Sequence, residues 1–211
     1  DDSWRWTGHT NAWAPFTVDS ARGLVYVPVG TPSNDWYGGG RKGANLFGET
    51  ILCLDARTGK RVWHYQLAHH GLWDYDPPSP PNVVTITHDG KKVDAVVAPT
   101  KQGYLFVFDR LTGQPLWPVE ERPVPRSDVP GEESWPTQPV PTKPAPFEKQ
   151  GFTLDDVIDY TPEVKTAALA RLSGLRLGPL YTPPSLEGTV TAPGSIGGAN
   201  WGGASVDPES G

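Results

Sequence analysis

Two segments of this 211-residue chain carry the same turn in the same setting. Leu54-Asp55-Ala56-Arg57-Thr58-Gly59-Lys60-Arg61-Val62-Trp63 and Phe108-Asp109-Arg110-Leu111-Thr112-Gly113-Gln114-Pro115-Leu116-Trp117 hold Asp, Thr, Gly and Trp at equal spacing, and Asp55 precedes Asp109 by 54 residues. Each reads as strand, D-x-x-T-G turn, strand, because an aspartate can bond its own turn backbone and a glycine takes the left-handed conformation at no steric cost. The closing tryptophan of each unit is free to pack between neighbouring units. A repeat of roughly 40 to 50 residues made only of strands is the signature of β-propeller blades. The longer spacing here fits a loop inserted between the two copies. The 24 glycines and 24 prolines agree with this all-β reading, since they suit short strands and tight turns and argue against helical bundles. Blades bury their faces on each other, so two or three alone leave large flanks uncovered. The expectation is a partial propeller of about three blades.

Other features narrow the function class. A net charge of −6 with no Lys/Arg run excludes nucleic acid as a ligand, because phosphate neutralisation needs clustered cations. The single cysteine, Cys53, cannot form an internal disulfide, and within Ile51-Leu52-Cys53-Leu54 it reads as a small buried hydrophobe. No run of 18 apolar residues exists, and the N-terminus has no charged-then-apolar pattern. The chain opens on Asp1 and contains no Met. Its end, Val206-Asp207-Pro208-Glu209-Ser210-Gly211, repeats the turn pattern of Val18-Asp19-Ser20-Ala21-Arg22-Gly23 without the strand Leu24–Val29 that follows the first copy. These features predict a piece of a longer chain.

In chain order, Trp4, Trp6 and Trp13 precede a hairpin with strands at 14–19 and 24–29. Gly30 to Gly40 is a long glycine-rich loop in which Trp36-Tyr37 argues for a functional role. His69-His70-Gly71-Leu72-Trp73-Asp74-Tyr75-Asp76 then lies between two strand-like runs, where a rigid scaffold tends to hold its chemistry. Lys101 ends the next apolar run, 27 positions after Asp74. Residues 120–149 are rich in Pro, Glu, Thr and Ser and predict an extended surface excursion. A helix is expected over 153–173, with Thr153 as N-cap, Asp155 and Asp156 in its first turn and an apolar stripe at Val164, Ala167, Ala168 and Leu172. Residues 120–178 thus form one Pro-rich and helical insertion within a single unit spanning 1–211, and 179–211 return to strand-and-turn composition.

Each candidate side chain has two readings on residue type. Asp74 is a carboxylate desolvated beside an indole and suited to accept a proton, or a turn aspartate capping its own backbone. Lys101 contacts an anionic or quinonoid ligand, or is a solvated strand-end cation. Trp13 is a stacking platform or a core tryptophan. His69 and His70 face opposite ways on an extended chain, so they read as structural rather than as two ligands of one ion. Neither Gly38-Gly39-Gly40 nor Gly197-Gly198 fits a nucleotide-binding pattern.

Taken together, the repeated turns, HHGLWDYDPP, APTKQGYLFVFDRLTG and TPPSLEGTVTAPGSIGGANWGGASVDP closely resemble the pyrroloquinoline quinone (PQQ)-dependent dehydrogenases, with the glucose and quinate dehydrogenase branch nearest. The resemblance runs over nearly the whole chain. It implies an eight-bladed propeller holding PQQ and a calcium ion on its axis. It further implies Asp74 as the general base that takes the hydroxyl proton while hydride passes to PQQ, and Lys101 as the residue on the quinone oxygens. Trp13 matches the tryptophan stacked on the PQQ plane. Thr31 falls where many members have a calcium-coordinating asparagine, a departure that still offers an oxygen. Asn200 and Trp201 lie in the N-W-G-G segment that returns near the cofactor. The implied substrate is a sugar, polyol or alcohol, the electron acceptor a quinone, and the location the periplasm or the periplasmic face of the inner membrane, with any membrane association through parts outside this chain. The rival from another class is a non-catalytic propeller that scaffolds assembly, which has no reason to keep Asp74 and Lys101 at this spacing beside Trp13.

Overall fold

The computed structural model describes residues 2–5, 8, 10–207 and 209. Trp6 and the turn residues Pro208, Ser210 and Gly211, named above, lie outside the described residues. Three antiparallel sheets are built from strands that neighbour one another in chain order, so every sheet is a run of hairpins. The first holds β1 (Thr17–Asp19), β2 (Leu24–Val29), β3 (Thr50–Asp55) and β4 (Arg61–Gln66). β5 (Asn82–His88), β6 (Lys91–Pro99) and β7 (Leu105–Asp109) make the second. β8 (Val119–Pro123) and β9 (Thr137–Pro141) form a ribbon.

The repeated turns are closed by their own side chains. Asp55 Oδ1 accepts from the Arg57 and Thr58 amides and the Thr58 hydroxyl at 3.1, 2.8 and 2.8 Å. Asp109 repeats this with Leu111 and Thr112 at 3.0, 2.8 and 2.8 Å. Gly59 and Gly113 end the turns at φ of 68° and 71°, where any Cβ is strained. The first unit then docks on the second. Trp63 Nε1 donates to the Arg110 carbonyl at 3.1 Å, and its ring covers Gly113 so closely that a methyl there would lie 2.5 Å from Cδ2. Tyr26 donates its hydroxyl to the same carbonyl at 3.1 Å. The Arg110 guanidinium, itself buried, pairs with Asp19 at 3.1 Å and donates to the Val84 carbonyl at 2.7 Å.

Strand alternation sends Tyr26, Ile51 and Cys53 from the first sheet and Val96, Ala98, Phe106 and Phe108 from the second into one core. Cys53 is buried and free, as its apolar run predicts. A second cluster, Leu72, Trp73, Tyr75 and Tyr181, lies under the D-Y-D segment.

Four expectations change. The strand expected at 14–19 starts only at Thr17. The excursion at 120–149 is not featureless, because β8 and β9 pair across it and Gln138 brackets His69, accepting from its amide at 2.8 Å and donating to its carbonyl at 2.6 Å. The helix α1 spans Pro162–Leu172, capped by Thr161, which accepts from the Val164 amide, with Pro162 in the first turn. Thr153 instead caps the short 3-10 turn Leu154–Asp156, and Asp156 returns to the Thr153 amide at 2.8 Å. No α1 residue is buried, so the expected apolar stripe faces solvent. Residues 179–211 fold as turns and isolated bridges such as Arg176 with Thr189, with no strand among the described residues.

Candidate active site

No strand runs through the segment 73–76, yet its side chains fall into two sets, one inward and one on a cleft. Trp73 and Tyr75 go inward, stacked at 6.2 Å, and their polar tips are fixed: Trp73 Nε1 donates to the Thr182 carbonyl at 2.9 Å and the Tyr75 hydroxyl to the Pro193 carbonyl at 2.6 Å. Asp74, at φ 56°, and Asp76 face the other side, onto a cleft. Lys101 sits on the Thr100–Gly103 turn joining β6 to β7, closed by a Gly103 amide bond to the Thr100 carbonyl at 3.1 Å. The lysine is 5% exposed, which removes the reading of a solvated strand-end cation. Its Nζ donates to the Asp74 carbonyl at 2.7 Å and to Asp76 Oδ2 at 3.1 Å, and lies 3.4 Å from Asp74 Oδ1. The glycine pair 197–198 covers its stem: the Gly198 amide donates to the Lys101 carbonyl at 2.9 Å, and a methyl on Gly197 would overlap the lysine.

Burial, and then the hydrogen bond it shares with Asp76, pushes the Asp74 carboxyl up to about 7. For Asp76 burial acts in the same upward sense, but the bonds from Asp74, the Thr31 amide (2.5 Å) and Lys101 prevail and hold it below the usual carboxylate range. The two carboxyls therefore divide the work, one ionised and held, the other poised near neutrality. The Thr31 hydroxyl donates to Glu49 Oε1 at 3.1 Å, and Glu49 is pushed up to about 8 by complete burial, with the Asp76 charge adding to the effect. Asn11, Trp13, Thr31, Ser33, Asn34, Asp35, Asp74 and Asp76 line a cleft of about 390 Å³. One edge is fixed by the Gly30 amide, which donates to the Asn11 carbonyl at 2.7 Å. A carboxyl near neutrality beside a buried ammonium group, open to a cavity, is equipped to take a proton from a hydroxyl while positive charge stands beside it.

The family model described as "PQQ: Glucose/ethanol/alcohol dehydrogenase, beta-propeller domain" matches residues 1–211. The chain belongs to this PQQ dehydrogenase β-propeller family. It is 39% identical over 200 residues to a probable quinate dehydrogenase (quinone) of Xanthomonas campestris pv. juglandis, covering 94% of this chain and 25% of the relative. It is 40% identical over 201 residues to the quinoprotein glucose dehydrogenase of Gluconobacter oxydans, with the same shares of 94% and 25%. Among solved structures, a europium-containing methanol dehydrogenase matches the fold with a TM-score of 0.62 at 22% identity, over 100% of this chain and 30% of that one. The chain thus spans about a quarter of the length of the curated relatives it matches. The all-β propeller expectation is met by membership of the PQQ family and by this likeness.

Within this PQQ-family chain, Trp13, Thr31 and Asp74 meet at one cleft and Lys101 reaches it from beneath. Trp13 is 47% exposed, on the cleft and not in the core. Asn200 and Trp201 do not line this cleft. Asn200 donates to the Ile196 carbonyl at 2.9 Å and its own carbonyl accepts from Ser79 at 2.7 Å, while Trp201 is 70% exposed. The indole expected to desolvate Asp74, Trp73, lies on the opposite side of the chain in the aromatic cluster, so Asp74 owes its shift to the surrounding fold and to Asp76. The histidines part company, but across a bend with His70 at φ 46° and not on the extended backbone expected: His69 Nε2 meets Glu121 at 3.0 Å and His70 Nδ1 meets the Gly43 carbonyl at 2.7 Å. Burial holds His70 below its ordinary value, hence neutral. Residue-type reasoning assigned no role to Asp76, Glu49 or Asn11. For Asp76 the signal was present, since it follows Asp74 by two positions and a second carboxylate at that spacing can reach the same cleft. Nothing local marks Glu49 or Asn11.

Proposed function

We propose that this chain supplies the reacting side of a PQQ- and Ca²⁺-dependent dehydrogenase that oxidises a sugar, polyol or alcohol hydroxyl and delivers electrons to a quinone at the periplasmic face of the membrane. The observation that carries the reading is the convergence of Asp74, Asp76, Thr31 and Trp13 on one cleft with the buried Lys101 joined to both aspartates. The residues fit the implied groups. Thr31, Asp74, Asp76 and Asn11 offer only oxygen donors on the cleft, the type a hard cation such as Ca²⁺ takes. Trp13 presents a half-exposed indole to a planar ring, and glycine at position 30 leaves room that a side chain would fill, since a methyl there would lie 2.6 Å from Asp76 Oδ1.

When bound, PQQ supplies the two-electron acceptor and Ca²⁺ a Lewis acid. The chain's own residues do the rest. Asp74, ionised above its value of about 7, accepts the substrate hydroxyl proton on a carboxylate oxygen. Lys101 fixes the Asp74 backbone through its carbonyl, which sets the direction of that carboxylate, and brings positive charge to the end of the cleft where negative charge develops. Asp76, held by Lys101 and the Thr31 amide, keeps the ammonium group in place. Glucose- and quinate-oxidising relatives match almost equally, at 40% and 39% identity, so the hydroxyl class is the level of the proposal.

The test is Asp74→Asn in the protein expressed from its complete reading frame. Turnover falls by about 10²- to 10⁴-fold, the usual worth of a positioned base, while PQQ still quenches tryptophan fluorescence with unchanged saturation. Wild-type turnover in the variant removes Asp74 from the base role.

A further inference from the structure

Among the described residues Glu49 is the one fully buried carboxyl near the cleft that the mechanism above leaves without a task, and its surroundings are unusual. It precedes β3 with φ 48°, a left-handed conformation that a glutamate rarely takes. The backbone is held there from both sides: the Glu49 amide donates to the Gly30 carbonyl at 3.1 Å, and the Leu67 amide donates to the Glu49 carbonyl at 2.7 Å. The carboxylate then reaches two elements at once. It accepts the Thr31 hydroxyl at 3.1 Å, and it lies flat against Gly71, where any side chain would overlap both of its oxygens. Arg41, also buried, grips the same residue from another direction through the Gly71 carbonyl at 2.8 Å and reaches the Asn34 carbonyl at 2.9 Å. Thr31 in turn donates its amide to Asp76. One carboxylate thus stands between the loop that carries Thr31 and the loop that carries Asp74 and Asp76.

We propose that Glu49 is a positioning residue that orients the Thr31 hydroxyl, accepting its O–H hydrogen bond so that the oxygen lone pairs are free for the cation, and that seats the 70–74 turn through Gly71. This rests on the Ca²⁺-dependent reading given above. It explains how a threonine serves where the family more often has an amide oxygen: a hydroxyl rotates about its own bond, and a fixed acceptor behind it removes that freedom. It also explains a glycine directly before Leu72-Trp73-Asp74, since position 71 has no room for a Cβ beside this carboxylate.

The experiment is a Ca²⁺ titration of the full-length apoprotein with PQQ present, read by tryptophan fluorescence, with apoprotein melting temperature measured alongside. Glu49→Ala and Thr31→Val are each expected to weaken Ca²⁺ binding by about 10- to 100-fold, the range for residues that orient a metal ligand. The double variant should be no weaker than the poorer single one, because both remove one interaction. Glu49→Gln, which keeps a carbonyl oxygen for Thr31, recovers most of the affinity, a rescue that a purely structural role does not give. Should Glu49→Ala fail to fold, Glu49→Asp serves, its carboxylate one methylene short of Thr31. Ca²⁺ affinity within twofold of wild type in Glu49→Ala or Glu49→Asp, or full additivity with Thr31→Val, overturns this assignment alone. An absence of Ca²⁺-dependent binding in the wild type overturns it together with the proposed function.

Discussion

The docking of one repeat on the next can be measured with two glycines at the same place in the two turns. Gly59 and Gly113 both have φ near 70°, so alanine at either site carries the left-handed cost of roughly 1–2 kcal/mol. Their surroundings differ. A methyl on Gly59 meets nothing within 4 Å, whereas one on Gly113 would lie 2.5 Å from Trp63 Cδ2, 2.6 Å from Cε3 and 2.8 Å from Cγ. These are ring atoms of an indole anchored to the Arg110 carbonyl, so the ring cannot yield without losing that bond. Overpacking of this kind costs typically about 1–3 kcal/mol. Gly59→Ala should therefore destabilise by about 1–2 kcal/mol and Gly113→Ala by about 2–5 kcal/mol. Urea denaturation followed by tryptophan fluorescence reads both, and Trp63→Phe in the Gly113→Ala background should narrow the gap by removing the larger ring. Equal destabilisation of the two alanine variants, within about 0.5 kcal/mol, the usual margin for independent surface sites, refutes the docking account.

Three further predictions concern the cleft. Because Asp74 is pushed up to about 7 and acts ionised, kcat/KM should rise about tenfold per pH unit below pH 7 and level off above it, and a profile flat from pH 5.5 to 8 speaks against this base. Asp76→Asn removes a hydrogen-bond partner and a negative charge that both raise Asp74, so the acid limb should move to lower pH; a limb moving up contradicts the pairing. Lys101→Met strands two carboxyls whose ionised forms the lysine favours, so the limb should move above 7 and the fold lose roughly 3–5 kcal/mol, checked by a pH–rate profile and denaturation midpoint.

How much of this was legible depends on how local each interaction is. The D-x-x-T-G turns are closed by bonds two and three residues long, so a motif reads them directly. The docking tryptophan is legible because it recurs at a fixed offset from the turn, even though it bonds to a residue 47 positions away. The β8–β9 ribbon was illegible because its strands carry Pro and Glu in place of alternating apolar residues and are held by backbone pairing and by Gln138 reaching back to His69. The helix start was misplaced because two signals compete. Thr153-x-x-Asp156 is a capping box in its own right, but the chain uses it for a single 3-10 turn and starts α1 at Thr161-Pro162, where a proline occupies the first turn.

The W-D-Y-D segment shows why adjacency in sequence misleads about chemistry. Trp73 is the neighbour of Asp74 along the chain, yet the indole packs with Tyr75 and Tyr181 and anchors the segment, while Asp74, at φ 56°, lines the cleft. Asp76, two residues on, lines the same cleft, and the two aspartates stand 27 and 25 positions from the lysine that joins them. Anchoring and chemistry are thus carried by alternate residues of one short stretch. The hydrogen bonds from Trp73 and Tyr75 to the Thr182 and Pro193 carbonyls hold the segment from the buried side. The precision of the carboxylate pair is therefore set by the two residues that never touch the cleft.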